Sequence, residues 1–231
     1  MKGLSVTAIG QRPIEECVDI FYQLQQLLNL DYLELAIASN CDLNQIPASI
    51  PVVIHDRCLY EKGRRLPFSL MQPETWARYK ILLGDHQVLA LSVHPPKLNE
   101  ASIEQVVTQR QALEEFIGVP VLVEVMPSPN YWLSQHELIN LPLLLDISHI
   151  NIWHQGNQNE VKSTFQALLP EAQAIHLSHN DGYNDSHSLI PDNIWFQDAV
   201  DSWATTKLVT YESLPQKWHE YERLDKRRPK H

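Results

Sequence analysis

The sequence has little of what several common kinds of site require. Its 231 residues include only seven glycines, and no glycine-rich phosphate loop follows the first strand-like segment, 4–10. The three cysteines, Cys17, Cys41 and Cys58, are odd in number and lack CxxC spacing, which argues against a disulfide framework or a cysteine zinc site and favours buried thiols. No apolar run reaches the roughly 18 residues of a membrane span, and residues 1–13 lack a secretory signal pattern, so a cytoplasmic location is expected.

The formal net charge of −10 disfavours a nucleic-acid partner, because affinity for a phosphate backbone comes mainly from lysine and arginine. Two basic clusters, KGRR at 62–65 and KRRPKH at 226–231, are interpreted as solvated surface. The expected partner is therefore a small-molecule substrate, with neither nucleic acid nor a membrane involved. The sequence leaves the oligomeric state open, a homo-oligomer included.

Short apolar segments recur along the chain, and helical patterns separate them. Eight such segments are present: 4–10, 31–38, 50–56, 87–96, 119–127, 141–149, 172–181 and 207–213. Several are continuous apolar runs, as expected for parallel strands buried on both faces. The stretch 14–29 is predicted to be a helix that buries one side, formed by Cys17, Ile20, Phe21, Leu24, Leu27 and Leu28.

Eight βα units of about 29 residues each use the whole chain. The prediction is an α/β fold, a single (β/α)8 TIM barrel in one domain spanning 1–231. An open doubly wound sheet is the alternative, and the lack of a glycine-rich loop argues against it.

Ionisable side chains end six successive segments, from the third to the eighth. The active site of such a barrel lies at the C-terminal ends of its strands, so these side chains are expected to be neighbours. They are His55, His94, Glu124, Asp146 with His149, His176 with Asp185 and His187 in the following loop, and Glu212. Burying so many ionisable groups is costly unless divalent cations pair them. The mixture of imidazole and carboxylate predicts one to three ions of Zn, Mn or Fe.

Five motifs resemble those of a known superfamily. They are VHPP ending at Pro96, VEV around Glu124, DISH from Asp146 to His149, IHLSHNDGYNDSH at 175–187 and YES around Glu212. By these motifs, and by strand order over nearly the whole chain, the sequence resembles the xylose isomerase-like TIM barrels. That superfamily includes endonuclease IV, sugar and sugar-phosphate isomerases and epimerases, and multinuclear iron enzymes that modify peptides.

The resemblance implies two layers of metal ligands. A core site shared with the isomerases would be formed by Glu124, Asp146, His176 and Glu212. In the trinuclear members, residues at five further positions extend it, here His55, His94, His149, Asp185 and His187.

The seventh segment departs from the superfamily pattern. His179 stands where an aspartate often follows the ligand histidine, so His179 competes with His176 as the ligand. The SLIPDN stretch at 188–193 replaces an expected glycine-rich turn. Glu34, in the second segment, is either an outer partner that orients a ligand histidine or part of a structural salt bridge.

Residues on the loops after the strands are candidates for substrate binding, because aromatic walls and polar anchors line small-molecule pockets. The candidates are Arg57, Trp153, His179 and Tyr183, with Tyr131 and Trp132 as further aromatic residues.

Four functions are compatible with this pattern, and the acidic chain, the compact loops and the HNDG stretch favour the first, an isomerase or epimerase. In a sugar or sugar-phosphate isomerase or epimerase, Glu124 and Glu212 would exchange a proton with the carbon next to a carbonyl group held by a metal. An endonuclease IV-like phosphoester hydrolase would use a trinuclear zinc site, which the complete ligand set favours. The other two are a multinuclear iron oxidase that modifies a peptide, and a noncatalytic barrel that binds a metal or metabolite.

Overall fold

The computed structural model of the protein describes residues 1–37, 40–84, 86–132, 138 and 141–216. Eight parallel strands close into a barrel, which confirms the predicted (β/α)8 fold. They are β1 Lys2–Ser5, β2 Tyr32–Leu35, β3 Val52–His55, β6 Val88–Val93, β7 Val121–Glu124, β8 Leu143–Asp146, β9 Ala172–Leu177 and β10 Leu208–Tyr211. Around the barrel they follow the order β1-β10-β9-β8-β7-β6-β3-β2. A two-stranded hairpin, β4 Tyr60–Glu61 and β5 Arg64–Arg65, projects from the loop after β3.

The helices surround the barrel unevenly. Those described are α1 Ile14–Leu28, α2 Trp76–Leu83, α3 Ile103–Ile117, α4 Ile147–Trp153, α5 Gln158–Leu168 and α6 Val200–Ala204. Between β2 and β3, the described residues contain only a short 3₁₀ turn, Leu43–Gln45, so the expectation of a helix there is wrong.

All eight strands end before the predicted segments do, and at two of them a side chain at the strand end caps a following helical turn. Ser5 ends β1, and its hydroxyl accepts a hydrogen bond from the Thr7 amide and caps the 3₁₀ turn Val6–Ile9. Asp146 ends β8 and caps α4 by accepting hydrogen bonds from the amides of Ser148 and His149. His149 therefore lies in the first turn of a helix rather than on a strand.

The interior of the barrel has an apolar floor beneath a polar layer. Ala90, Leu122, Leu144 and Ala174 pack together as a separate buried cluster. Side chains two residues apart on a strand share a face, so the next inward positions on these strands are Ser92, Glu124, Asp146 and His176. Tyr32 completes the filling near β1, where a Cβ atom on Gly3 would overlap the Tyr32 ring. The apolar floor thus holds the polar layer at the C-terminal mouth.

A second and larger core lies between the barrel and its helices. On α1, the predicted face is buried except for Leu27, which is 47% exposed. Cys17, Cys41 and Cys58 are all buried. Of the two basic clusters, the hairpin residues Arg64 and Arg65 are exposed, whereas 226–231 lies outside the described residues. Among the described helices, none has the length and apolar character needed to cross a bilayer.

Candidate metal centre

Glu124, at the end of β7, lies among three histidines at the mouth of the barrel. Its Oε2 atom is 3.5 Å from His55 Nε2 and 3.4 Å from His94 Nε2. Its Oε1 atom is 3.4 Å from His149 Nδ1. The Glu124 side chain is only 3% exposed, so these contacts form away from bulk water.

His176, a buried residue on β9, approaches three carboxylates with one ring nitrogen. Its Nδ1 atom is 3.2 Å from Glu212 Oε2, 3.7 Å from Asp146 Oδ2 and 3.9 Å from Glu124 Oε1. These are the four residues that the resemblance assigns to the core metal site, and the structure brings them together.

Asp185 and His187, in the loop after β9, join the cluster at its more exposed edge. Asp185 Oδ2 is 3.4 Å from His149 Nε2, and Asp185 Oδ1 is 3.6 Å from His187 Nε2. His187 Nδ1 is 3.9 Å from Glu212 Oε2. All nine residues of the predicted ligand set therefore lie in one continuous cluster.

Four histidines of the cluster are each oriented by an outer partner on one ring nitrogen. Asp56 Oδ1 lies 2.6 Å from His94 Nδ1, and the Val125 carbonyl oxygen lies 2.8 Å from His149 Nδ1. Glu34 Oε2 lies 2.9 Å from His176 Nε2, and Ser178 Oγ lies 3.1 Å from His187 Nδ1. In each ring the second nitrogen faces carboxylates of the cluster. This arrangement is typical of metal-ligating histidines, because the hydrogen bond made by one ring nitrogen determines which nitrogen is free to bind the metal.

Several buried polar atoms of the cluster are left without a hydrogen-bond partner. Among the described residues, these atoms include Glu124 Oε2, Asp146 Oδ2, His176 Nδ1 and His55 Nδ1. Leaving such atoms unsatisfied in a buried site is costly, and bound cations would satisfy the atoms that they contact. Three subsets bring ligand atoms within 4.8 Å of one another: Glu34, His55, His176 and Glu212; His55, His94 and Glu124; and Glu124, Asp146 and His176. The residues present therefore fit one or more divalent ions.

The charges of the cluster perturb one another strongly. Burial alone would lower the pKa of His94, but the hydrogen bond and charge of Asp56 raise it to about 9. Burial also opposes protonation of His149, and the charge of Asp146 with the hydrogen bond of Asp185 raises that pKa to about 10. Burial raises the pKa of Glu212 to about 8 against the opposing effect of His176. In the metal-free protein, protons on His94, His149 and Glu212 therefore offset the repulsion between the buried carboxylates.

A network of amide side chains positions the loop that carries Asp185 and His187. Asn180 is buried, and its Oδ1 accepts hydrogen bonds from Asn151 Nδ2 at 2.8 Å and from the Gly182 amide at 2.9 Å. Asn180 Nδ2 donates to the Ser148 carbonyl oxygen at 3.0 Å. The HNDG stretch therefore anchors the loop to α4, while His179 lies outside the cluster.

The predicted substrate-binding residues lie in different surroundings. Arg57 lines a cavity that also contacts His94, and Trp153 donates its indole N–H to the carbonyl oxygen of Met126, which lines the same cavity. Tyr183 is 67% exposed in the loop after β9. His179 lines a separate cavity between α4, α5 and the loop after β9, so of the two competing histidines it is His176 that enters the cluster.

Two acidic residues of the site were not assigned a place in it from the sequence. Glu34 is fully buried and takes the orienting position on His176, one of the two interpretations left open above. Asp56 was missed, although it directly follows His55 at the end of β3. It binds His94 twice, through the ring and through a 3.1 Å hydrogen bond from the backbone amide.

Comparison with known proteins finds similarity in structure alone. No protein-family model matches the chain, and no curated protein matches its sequence. Among solved structures, an AP endonuclease of family 2 from Brucella melitensis has a TM-score of 0.60 at 10% identity, covering 93% of each chain. The probable 3-DHS dehydratase AsbF from Bacillus anthracis has a TM-score of 0.57 at 17% identity, covering 99% of this chain and 100% of that one. A xylose isomerase domain protein from Planctomyces limnophilus has a TM-score of 0.54 at 13% identity, covering 97% and 94%.

The fold is that of the xylose isomerase-like TIM barrels. Its structural neighbours are mostly enzymes, and their names cover isomerase, dehydratase and endonuclease. The cluster lies at the C-terminal mouth of the barrel, which is where enzymes with this architecture have their active sites.

Proposed function

We propose that the protein is a metal-dependent isomerase or epimerase that acts on a small hydroxy-carbonyl compound, such as a sugar or sugar phosphate. The observation that carries the proposal is that two buried carboxylates, Glu124 and Glu212, both approach His176 Nδ1, at 3.9 and 3.2 Å. They come from β7 and from the end of β10, with β8 and β9 between them. A substrate held between them would present its reacting carbon to both.

Each residue of the core has a role in this proposal. A divalent ion held by Glu124, Asp146, His176 and Glu212 would polarise the substrate's carbonyl and so acidify the adjacent C–H bond. Glu124 or Glu212 would accept the proton, and the other would return one. Glu34 would keep the ring of His176 in its orientation, since its carboxylate already binds Nε2.

The test follows exchange of substrate hydrogen in D₂O by NMR, using protein loaded with Zn, Mn or Fe and a panel of aldoses, ketoses and their phosphates. We expect exchange in the wild type and a loss of about 10²–10⁴-fold in the Glu124→Gln and Glu212→Gln variants. The matched control is Glu104→Gln, which makes the same change on the exposed first turn of α3. Metal content is measured in parallel. Undiminished metal binding and exchange in Glu212→Gln would refute the assignment.

A second candidate is phosphoester hydrolysis by a multinuclear site. It is favoured by the contacts of Asp185 and His187 with His149 and Glu212, because they extend the cluster beyond what one ion needs. Elemental analysis of the wild type and of a His55→Ala, His94→Ala double variant separates the two candidates. A fall from two or three ions to one, with cleavage of abasic-site DNA by the wild type, would favour the hydrolase. One ion in both proteins would favour the isomerase, and two or three iron atoms would indicate an oxidase.

A further inference from the structure

A cavity of about 630 Å³ adjoins the candidate metal centre on the side of His94. The loop after β3, the loop after β6 and the segment after β7 form its walls. Its volume lies in the range of small-molecule pockets, and it reaches the cluster directly through His94 and Asp56. A substrate bound at the metal centre would therefore extend into this space.

Two cations line the cavity, together with two acids that accept hydrogen bonds from neighbouring groups. Arg57 and Lys97 supply the positive charges. Both oxygens of Asp56 bind His94, through the ring at 2.6 Å and the backbone amide at 3.1 Å. Glu100 Oε2 accepts a 2.9 Å hydrogen bond from the backbone amide of Lys97. Among the described residues, neither cation has a carboxylate within ion-pair distance.

Arg57 is held in a conformation that suits a binding role. Its φ of +62° lies in the left-handed region, which a non-glycine residue adopts at an energetic cost. The residues on both sides of Arg57 are fixed, since Asp56 donates its amide to the Ser92 carbonyl oxygen at 2.8 Å and Cys58 is fully buried. Arg57 Nε donates to the Phe68 carbonyl oxygen at 3.3 Å, which leaves the terminal nitrogens for another acceptor.

The remaining walls suit a carbon skeleton. Met71, Met126, Pro95 and Tyr131 give the cavity apolar and aromatic surface beside the two cations. Apolar walls with a few convergent charged groups are typical of sites that bind small molecules carrying one charged end.

We propose that the substrate carries an anionic group, a phosphate or a carboxylate, that Arg57 and Lys97 bind while its hydroxy-carbonyl end lies at the metal centre. The planar guanidinium matches both kinds of anion through paired hydrogen bonds. This proposal rests on the proposed function for the position of the reacting end, whereas the anion site itself depends only on the cavity.

Binding of three-carbon probes to the metal-loaded protein tests the proposal without requiring turnover. The probes are dihydroxyacetone, dihydroxyacetone phosphate and hydroxypyruvate, which are neutral, a phosphate ester and a carboxylate, respectively. Charge-assisted hydrogen bonds predict that wild-type protein binds at least one anionic probe about tenfold or more tightly than the neutral one. The tighter of the two anions identifies the group.

Variants then assign the preference to the cavity. Arg57→Asn, whose side chain tolerates the left-handed conformation, and Lys97→Ala should each reduce the preference, and the double variant should abolish it. Lys62→Ala is the matched control, since it removes a cation from the same loop outside the cavity and should leave the preference intact. Equal binding of neutral and anionic probes by the wild type, or a preference unchanged in the double variant, would overturn the proposal. Selective anion binding without isomerisation would instead reject the proposed function alone.

Discussion

Replacement of Gly182 by alanine tests whether the loop carrying Asp185 and His187 is fixed by a backbone contact. Gly182 has a φ of +84°, and a Cβ atom there would lie 2.5 Å from the Gly156 nitrogen and 2.7 Å from its Cα. Both neighbours are backbone atoms in the turn between α4 and α5, so they cannot rotate away as a side chain could. The loop itself must move, and with it the exposed edge of the metal centre.

The expected loss of stability is found by comparing Gly182 with a second glycine of similar backbone conformation. Gly118, after α3, has a φ of +83°, and nothing lies within 4 Å of the point that an alanine methyl group would occupy. Gly118→Ala should therefore cost only the left-handed conformation, about 1–2 kcal/mol. Gly182→Ala carries the same cost plus that of overpacking, about 1–3 kcal/mol more. In a protein of this size each kcal/mol lowers Tm by roughly 2–4 °C.

Thermal unfolding of both variants, with metal titrations on each, gives the result. We expect the larger fall in Tm in Gly182→Ala, together with weaker metal binding, and unchanged metal binding in Gly118→Ala. Equal Tm values in the two variants would show that the contact between Gly182 and Gly156 does not constrain the loop, and the reasoning would fail.

Two further predictions concern the histidines. Asp56→Asn should weaken metal binding by about 10–100-fold, because Asp56 orients His94; competition with a chromophoric chelator measures the affinity. The control is Asp198→Asn, which removes one negative charge at an exposed position. Equal metal affinity in the two variants would contradict the orienting role of Asp56. The pKa values of His94 and His149, about 9 and about 10, exceed the usual 6.5 of a histidine. Protonation of these two histidines therefore stabilises the metal-free folded protein fully below about pH 6.5, and this stabilisation is lost as the pH rises through 9 and 10. Chemical unfolding of metal-free protein across this range should show that loss, and calorimetry should show protons released when metal binds; stability rising with pH would contradict it.

Much of the barrel and its inward-facing residues can be predicted from the two-residue periodicity of strands. Ala174 and His176 are two residues apart on β9, so their side chains point to the same face of the strand. His179 is an odd number of residues from both, so the alternation of side chains favours His176 as the residue that enters the barrel. The apolar floor and the polar layer above it follow in the same way on β7 and β8. Strand ends are harder to predict, since capping by Ser5 and Asp146 depends on side-chain hydrogen bonds rather than on periodicity.

The outer partners of the histidines show where prediction from sequence stops. Asp56 and Val125 bind histidines that follow the adjacent strand, because β3 pairs with β6 and β7 pairs with β8. Strand order, once known, therefore suggests both contacts.

Glu34 differs, because β1 and β10 separate β2 from β9 in the barrel and the contact with His176 crosses the interior. That contact exists only when the sheet closes, so no local pattern around Glu34 could distinguish an orienting carboxylate from a structural salt bridge. The closed barrel makes the distinction, since it brings a fully buried carboxylate to the one nitrogen of His176 that does not face the other acids.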